Sequence, residues 1–373
     1  MSLTGLEHPV DFTPPERMDY PAMTDKQAAW TVPDGASGAS FRLLKGRSVL
    51  VTGGTGSFGQ AFVKAMLRHG RPRRLVIFSR DELKQVEMEQ ALAPLDRDGA
   101  LRFFIGDVRD QRRLVMALRG IEIVVHAAAL KHVPVAEYNP FECIHTNVLG
   151  AENVVQASIE AGVERVIALS TDKAANPINL YGASKLAADK IFIAANHLSG
   201  KGGTRFSVVR YGNVLGSRGS LIPLLRQRVA QGAKEIPITD NRMTRFWITL
   251  DQGVAFVCSC LSMMRGGEIF VPKIPSMKIV DLASAVAPGL KHKIVGIRPG
   301  EKLHEVMITT DDARTTRDLG DRYVILPAAS LGQDKAPKLA GKPVDDDFRY
   351  ASDTNDRWLT TAALLTLIGG LDK

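Results

Sequence analysis

From Ser48 onward the chain alternates short, unbroken apolar runs with amphipathic segments. The runs are SVLVTG, RLVIFS, LRFFIGD, IEIVVHAAA, RVIALS and FSVVRYG, and helical patterns fill the intervals, the last of them running through Asn196. A strand that is apolar at every position, rather than at every second one, buries both faces, as in a parallel sheet covered by helices on each side. The pattern predicts an α/β fold over residues 45–212, a Rossmann-like doubly wound parallel sheet. After Gly212 the rhythm breaks into shorter pieces. Residues 213–331 are therefore expected to form mainly a smaller C-terminal substrate-binding lobe over the strand ends, where open α/β sheets hold ligands. Residues 1–44, with Pro9, Pro14, Pro15, Pro21 and Pro33 and no sustained period, read as an irregular arm. Residues 332–373 read as a tail, linker-like to Asp347 and closed by a helix over WLTTAALLTLI.

Composition narrows the class. The 373 residues are 45% hydrophobic and 24% charged, enough apolar material for a substantial core. No run approaches the roughly 18 apolar residues of a membrane span, and the N-terminus lacks the basic-then-apolar order of a secretory signal, so a cytoplasmic protein without membrane attachment is expected. Cys143, Cys258 and Cys260 form no CxxC pair and read as buried small side chains. The histidines are scattered without ligand spacing, so no metal is expected. The net charge of +8 is dispersed along the chain, which argues against nucleic acid; an anionic cofactor and substrate account for part of it.

Candidate chemistry begins at Thr52-Gly53-Gly54-Thr55-Gly56-Ser57-Phe58-Gly59, after the first strand and at the start of a helix. In that setting the glycines allow a tight turn and close approach of backbone to a pyrophosphate, while the helix N-terminus offers N–H groups to the anion. Gly53, Thr55, Gly56, Ser57, Phe58 and Gly59 are the expected dinucleotide cradle. The second strand ends in Ser79-Arg80-Asp81-Glu82, where the adenosine ribose would lie. Asp81 favours NAD by binding ribose hydroxyls, whereas Ser79, Arg80 and nearby Lys84 favour a 2′-phosphate; the balance is read as NADP over NAD. Asp107 and Val108 would flank adenine, and the small residues Ala127, Ala128 and Ala129 would let the cofactor pass.

Tyr181 and Lys185 are spaced as YxxxK, which places both on one helix face a turn apart. A nearby ammonium lowers a phenol's proton affinity, so Tyr181 is suited to take a proton from a sugar hydroxyl as hydride leaves for the cofactor. Ser170 and Thr171 close the preceding strand.

The glycine loop, the strand-end hydroxyl and YxxxK in this order resemble the extended short-chain dehydrogenases/reductases, over about Ser48 to Leu359. SRDELKQ (79–85), AAALKHVPVAEYNP (127–140), STDKAANPINLYGASK (170–185), RYGNVLGSRGS (210–220), ITDNRMTRFWITL (238–250) and RPGEKLHE (298–305) resemble the inverting UDP-N-acetylglucosamine 4,6-dehydratases. That resemblance implies a hydro-lyase acting on UDP-N-acetylglucosamine in pseudaminic acid synthesis for flagellin or surface glycan, and a homo-oligomer, commonly a hexamer. It also implies Lys173 as base for the sugar C5 proton and Asp172 as acid for the departing 6-hydroxyl, roles a plain dehydrogenase does not need. An acid role requires a protonated Asp172, hence burial or a neighbouring negative charge. Lys131 is suited to the sugar or nicotinamide end, Asn213 to the sugar nucleotide and Arg298 to its diphosphate; Thr239 and Arg245 fall in motifs resembling the nucleotide pocket. Two other readings are a UDP-sugar epimerase on the same fold, against which Asp172-Lys173 argues, and a non-catalytic NADP-binding module.

Overall fold

A computed structural model describes residues 41–327, Leu339 and residues 341–371. The proline-rich arm up to residue 40, and residues 332–338 and 340 of the linker-like tail, lie outside the described residues.

Strands β1 (Ser48–Thr52), β2 (Arg74–Ser79), β3 (Leu101–Ile105), β4 (Ile123–His126), β5 (Arg165–Thr171) and β6 (Arg205–Tyr211) lie in the order 3-2-1-4-5-6, all parallel. This is a Rossmann-like doubly wound sheet, and its order reverses between β1 and β4, where ligands bind in such sheets. Apart from edge strand β3, whose Ile105 is exposed, the apolar runs are buried on both faces: Val49, Leu50, Val51, Val124, Val125, Val166 and Ile167 are fully enclosed. Each such side chain contributes about 1.5–3 kcal/mol relative to an exposed one.

Beyond β6 the chain returns to the sheet several times. Ile269–Pro272 pairs in parallel with β6. Arg322–Ile325 and Thr316–Asp318 then add antiparallel strands, and Lys342–Pro343 closes a ten-stranded sheet. Helix Leu250–Met263 opens with a Thr249/Gln252 capping box and packs against helix Ser57–Ala65. Phe41 and Leu44 join the same core.

A smaller C-terminal lobe has its own core, including Leu215, Ile222, Leu225, Ile236, Trp247, Leu282 and Leu364. Its framework is the strand Glu235–Ile238 paired with Lys291–Ile294, the sheet formed by Asn213–Val214, Thr244–Ile248 and Ser276–Lys278, and the helices Leu221–Ala230, Ile279–Val286 and Thr361–Leu371. Strand Val306–Ile308 pairs with Tyr350–Ala351 and lies against the turn Asp172–Ala174 at the end of β5. This contact brings the second lobe onto the mouth of the sheet. No helix among the described residues is long and apolar enough to cross a membrane. The three cysteines are free and buried.

Candidate active site

The glycine loop turns at the end of β1 because two of its positions exclude any side chain. At Gly53, φ is +63° and a Cβ would stand 2.9 Å from Ala128 Cα; at Gly59 a Cβ would stand 2.3 Å from the Gly54 carbonyl oxygen. The loop backbone therefore lies directly on the extension of β4, with Gly56 as N-cap of helix Ser57–Ala65. A part-buried cradle of backbone at a helix N-terminus fits a dinucleotide pyrophosphate. Thr55 is buried, and Phe58 stacks on Phe62 with ring centroids 6.0 Å apart. A strap from the second lobe crosses the loop: Arg218 N donates to Ser57 Oγ at 3.1 Å, its guanidinium donates to the Thr55 carbonyl, and its own carbonyl accepts from Lys131 Nζ at 2.9 Å.

At the end of β2 the cations already have partners. Arg80 faces Asp107 at 3.5 Å, and Lys84 folds back onto Asp81, which also caps helix Glu82–Leu92. The Ser79 hydroxyl accepts from Gln85 Nε2 at 3.0 Å. Asp107 is further engaged by Arg109 at 2.7 Å and is held below the usual carboxylate range; burial opposes this and the Arg109 hydrogen bonds prevail. Val108 is buried, and Ala127 and Ala129 are half-buried beside the loop.

The candidate reacting groups gather where β5 meets helix Leu180–Leu198. Asn179 caps that helix, accepting from Gly182 N at 2.7 Å, and its Nδ2 donates to the Gly300 carbonyl at 2.7 Å. Tyr181 and Lys185 both fall on the buried face. Burial pushes the Tyr181 phenol up to about 12, while the Lys173 charge and the neighbouring Thr171 hydroxyl pull against the rise. Lys185 Nζ donates to the Leu169 carbonyl at 2.6 Å, and burial lowers its proton affinity. Beneath it, Asp189 accepts from Ser170 Oγ at 2.7 Å and pairs with Arg210 at 3.3 Å.

Asp172 is wholly buried. Its Oδ1 accepts from Thr171 Oγ1 at 2.8 Å and from Lys173 Nζ at 3.1 Å, while Oδ2 has no hydrogen-bond partner. Burial, and next the negative charge of Glu305, raise the Asp172 carboxyl above its ordinary range. Burial alone would lower the Lys173 ammonium, but the carboxylates of Asp172 and Glu305 outweigh it and hold the amine protonated.

Thr171, Asp172 and Lys173 are thus one hydrogen-bonded group, with Tyr181 beside it and Lys185 a helical turn away. Arg245 reaches it indirectly: buried, it donates to the Lys302 and Leu303 carbonyls at 2.9 and 3.1 Å and faces Glu305 at 3.4 Å. Asn213, Thr239 and Arg298 stand on the second lobe, Asn213 in the strand after β6, Thr239 just past Glu235–Ile238, and Arg298 exposed in the loop before Gly300. Among the described residues no hydrogen bond or ion pair ties these three side chains to the Thr171–Lys185 group.

Three residues that the sequence did not single out belong here. Arg218 and Glu305 lie inside the RYGNVLGSRGS and RPGEKLHE motifs, which was the available signal. Buried Asn147 clamps the loop after β4, exchanging hydrogen bonds with both backbone groups of Leu130 at 2.8 and 3.0 Å and donating to Ser184 Oγ at 3.0 Å on the catalytic helix. No metal-binding cluster of His, Cys, Asp and Glu occurs among the described residues.

Comparison with known proteins agrees with this geometry and corrects one expectation. The family described as "Polysaccharide biosynthesis protein" matches residues 49–327. An inverting UDP-N-acetylglucosamine 4,6-dehydratase of Campylobacter jejuni (strain 81-176) is 54% identical over 332 residues, 87% of this chain and 98% of that one. A UDP-glucose 4-epimerase of Rickettsia akari is 45% identical over 286 residues, 75% of this chain and 82% of its own length. Among solved structures, Pen from Bacillus thuringiensis superposes with a TM-score of 0.80 at 34% identity, covering 88% of this chain and 99% of that one. DesIV, a dTDP-glucose 4,6-dehydratase from Streptomyces venezuelae, superposes with a TM-score of 0.62 at 27% identity, covering 69% and 86%, and was solved with NAD bound. The expected preference for NADP over NAD is overturned by such NAD-bound structures. The physical reason lies at the end of β2: Ser79, Arg80 and Lys84, the groups taken to receive a 2′-phosphate, are occupied by Gln85, Asp107 and Asp81. The chain belongs to the polysaccharide biosynthesis protein family and, within it, to the inverting UDP-N-acetylglucosamine 4,6-dehydratases.

Proposed function

We propose that this chain works as its family does, removing water across C5 and C6 of UDP-N-acetylglucosamine, with NAD as the resident dinucleotide, to give a UDP-4-keto-6-deoxy amino sugar inverted at C5. The observation that carries this reading is the buried Asp172–Lys173 pair, hydrogen-bonded to Thr171 and set beside Tyr181. Epimerisation needs a proton acceptor at the C4 hydroxyl; elimination needs a further base and a further acid, and the pair supplies both.

The loop Gly53–Gly59, Asp107, Val108, Ala127 and Ala129 would hold the dinucleotide, with Tyr181 and Lys185 at its nicotinamide end. Bound NAD supplies the one function the chain lacks, a hydride acceptor for C4 that gives the hydride back at C6. Tyr181 takes the proton of the 4-hydroxyl as phenolate, a form that the positive charge of bound NAD would favour against the rise caused by burial. Lys173 then takes the C5 proton, acidified by the new ketone, and Asp172 gives a proton to the 6-hydroxyl, which leaves as water. These roles require a neutral amine beside a protonated carboxyl. The ion pair in the structure differs from that state by one proton moved from Nζ to Oδ1 across 3.1 Å. Burial works toward the transfer, because it removes two charges from a low-dielectric site, and acts against the pull of Glu305, which holds the amine protonated before substrate binds. Elimination returns the pair to its ionised form. As hydride returns to C6, a proton from water adds to C5 from the opposite face and completes the inversion, and Tyr181 releases to water the one it took from the 4-hydroxyl.

Lys131, Asn213, Thr239, Arg245 and Arg298 are assigned to the sugar-nucleotide side, Arg245 through its hold on residues 302–305. The product suits pseudaminic acid synthesis for flagellin or surface glycan, carried out in the cytoplasm by a homo-oligomer, a hexamer, without nucleic acid or membrane contact. The test is mass spectrometry of UDP-N-acetylglucosamine incubated with the purified protein and catalytic NAD. Loss of one water from the sugar nucleotide without net consumption of NAD is the expected result. An unchanged mass with an altered configuration at C4 would assign the chain to epimerisation instead.

A further inference from the structure

Glu305 comes from the second lobe, at the start of the segment that lies against the β5 turn, and it is 1% exposed. Its Oε1 stands 3.1 Å from Lys173 Nζ, on an ammonium that also has Asp172 Oδ1 at 3.1 Å. A lone carboxylate in such a place carries a heavy desolvation cost, and this one is held in position from several sides. Arg245 Nε faces the same Oε1 at 3.4 Å, and the Glu305 backbone N–H donates to Ser352 Oγ at 2.9 Å. Lys302 anchors the segment by donating to the Ala175 carbonyl at 2.5 Å. Oε2 is buried without a hydrogen-bond partner.

We propose that Glu305 is a positioning residue of the elimination step, orienting the Lys173 amine between itself and Asp172 so that its lone pair meets the C5 proton. Having given one proton to Asp172 Oδ1, the neutral amine keeps two N–H groups, and the one donated to Glu305 Oε1 at 3.1 Å is the fixed point about which the amine turns its lone pair from Oδ1–H to the C5 proton. When Lys173 takes the C5 proton, Glu305 faces a full ammonium at contact distance, so its charge is used most after the proton has moved. The arrangement parallels a base oriented by a third group, as a buried carboxylate orients a catalytic imidazole. Oxidation at C4 draws on Tyr181 and Thr171 and makes no demand on Glu305.

This inference rests on the dehydratase reading, and its test separates the two. Glu305→Gln and Glu305→Asp are each purified with NAD and mixed with UDP-N-acetylglucosamine beside the parent protein. Product is followed by mass, and the absorbance of reduced nicotinamide is followed in the same sample. In Glu305→Gln, kcat falls on the order of a hundredfold, KM stays within about twofold, and reduced nicotinamide accumulates because oxidation outruns elimination. Glu305→Asp, which keeps the charge, recovers part of the rate and loses part of that absorbance. Turnover within about threefold of the parent in Glu305→Gln overturns the proposal. So does equal loss of turnover and of reduced nicotinamide in both variants, the mark of a purely structural carboxylate. Failure of the parent itself to release water would count against the dehydratase reading rather than against Glu305.

Discussion

The ammonium of Lys173 lies 3.1 Å from the carboxylate of Asp172, its neighbour in the chain, and that carboxylate is wholly enclosed. Adjacent residues on an extended strand point to opposite faces; these two meet because β5 ends at Thr171 and the next three residues form a single tight turn. Thr171 caps the turn, accepting from Lys173 N at 3.4 Å, and so gathers all three side chains on one side of the sheet.

Replacing either member of this pair should stop elimination while sparing oxidation. For Asp172→Asn and Lys173→Met we expect product formation to fall by about 100- to 10,000-fold, the usual span for loss of a general acid or base. Mixing enzyme and substrate should then leave reduced nicotinamide bound. Circular dichroism unchanged from the parent would separate this from misfolding.

Tyr181→Phe is expected to give the opposite signature. Without the phenolic oxygen the 4-hydroxyl proton has no acceptor, so turnover falls by a comparable factor of about 100 to 10,000. No reduced nicotinamide should appear at any time after mixing. Stopped-flow absorbance distinguishes the two classes of variant.

Much of this was legible in the chain. Five of the six parallel strands announced themselves because both of their faces are buried, whereas edge strand β3 is apolar with Ile105 exposed; the four-residue spacing of Tyr181 and Lys185 fixes their common face on any helix. Contacts formed by closure of the second lobe were not legible: nothing near residue 173 reveals that Glu305 and Arg245 converge on it. The cofactor expectation failed for a related reason. Arg80 looked like a free cation, but β2 and β3 run in register with Ser79 opposite Ile105, which carries Asp107 alongside the guanidinium. The hairpin Thr316–Asp318 and Arg322–Ile325 has strands of three and four residues, too short to display a period.

The glycine loop should tolerate no methyl group at residue 59. A Cβ there would stand 2.3 Å from the Gly54 carbonyl oxygen and 2.5 Å from its carbonyl carbon and Cα, backbone atoms that cannot swing aside. Gly59→Ala is expected to weaken NAD binding by about tenfold or more, equivalent to at least about 1.4 kcal/mol. Isothermal titration with NAD in the absence of sugar nucleotide measures this directly.

His126, at the end of β4, ties stability to pH. Thr52 Oγ1 accepts from the Ala127 and Ala128 amides at 3.2 Å each, so its single hydrogen goes to His126 Nδ1 at 2.9 Å and fixes a neutral ring. Burial, and next the Lys185 charge, push the ring from its ordinary 6.5 down to about 3. The unfolded chain therefore binds a proton that the folded one refuses between these values. This contribution is complete above pH 6.5 and is lost as pH falls toward 3, by about 1.5–2 kcal/mol between pH 6.5 and 5. Urea unfolding at the two pH values should show a decline smaller by that amount in His126→Gln. Thr52→Val should cost about 1–3 kcal/mol at neutral pH by leaving Nδ1 unsatisfied.

The central claim is that hydride leaves C4, water leaves across C5 and C6, and C5 is reprotonated on its other face. NMR of the product formed from UDP-N-acetylglucosamine in deuterium oxide tests it most directly. The account predicts a 6-deoxy-4-keto sugar carrying deuterium at C5 on an L-configured ring. A product that keeps its 6-hydroxyl, or one that is dehydrated yet retains the D configuration at C5, would contradict it.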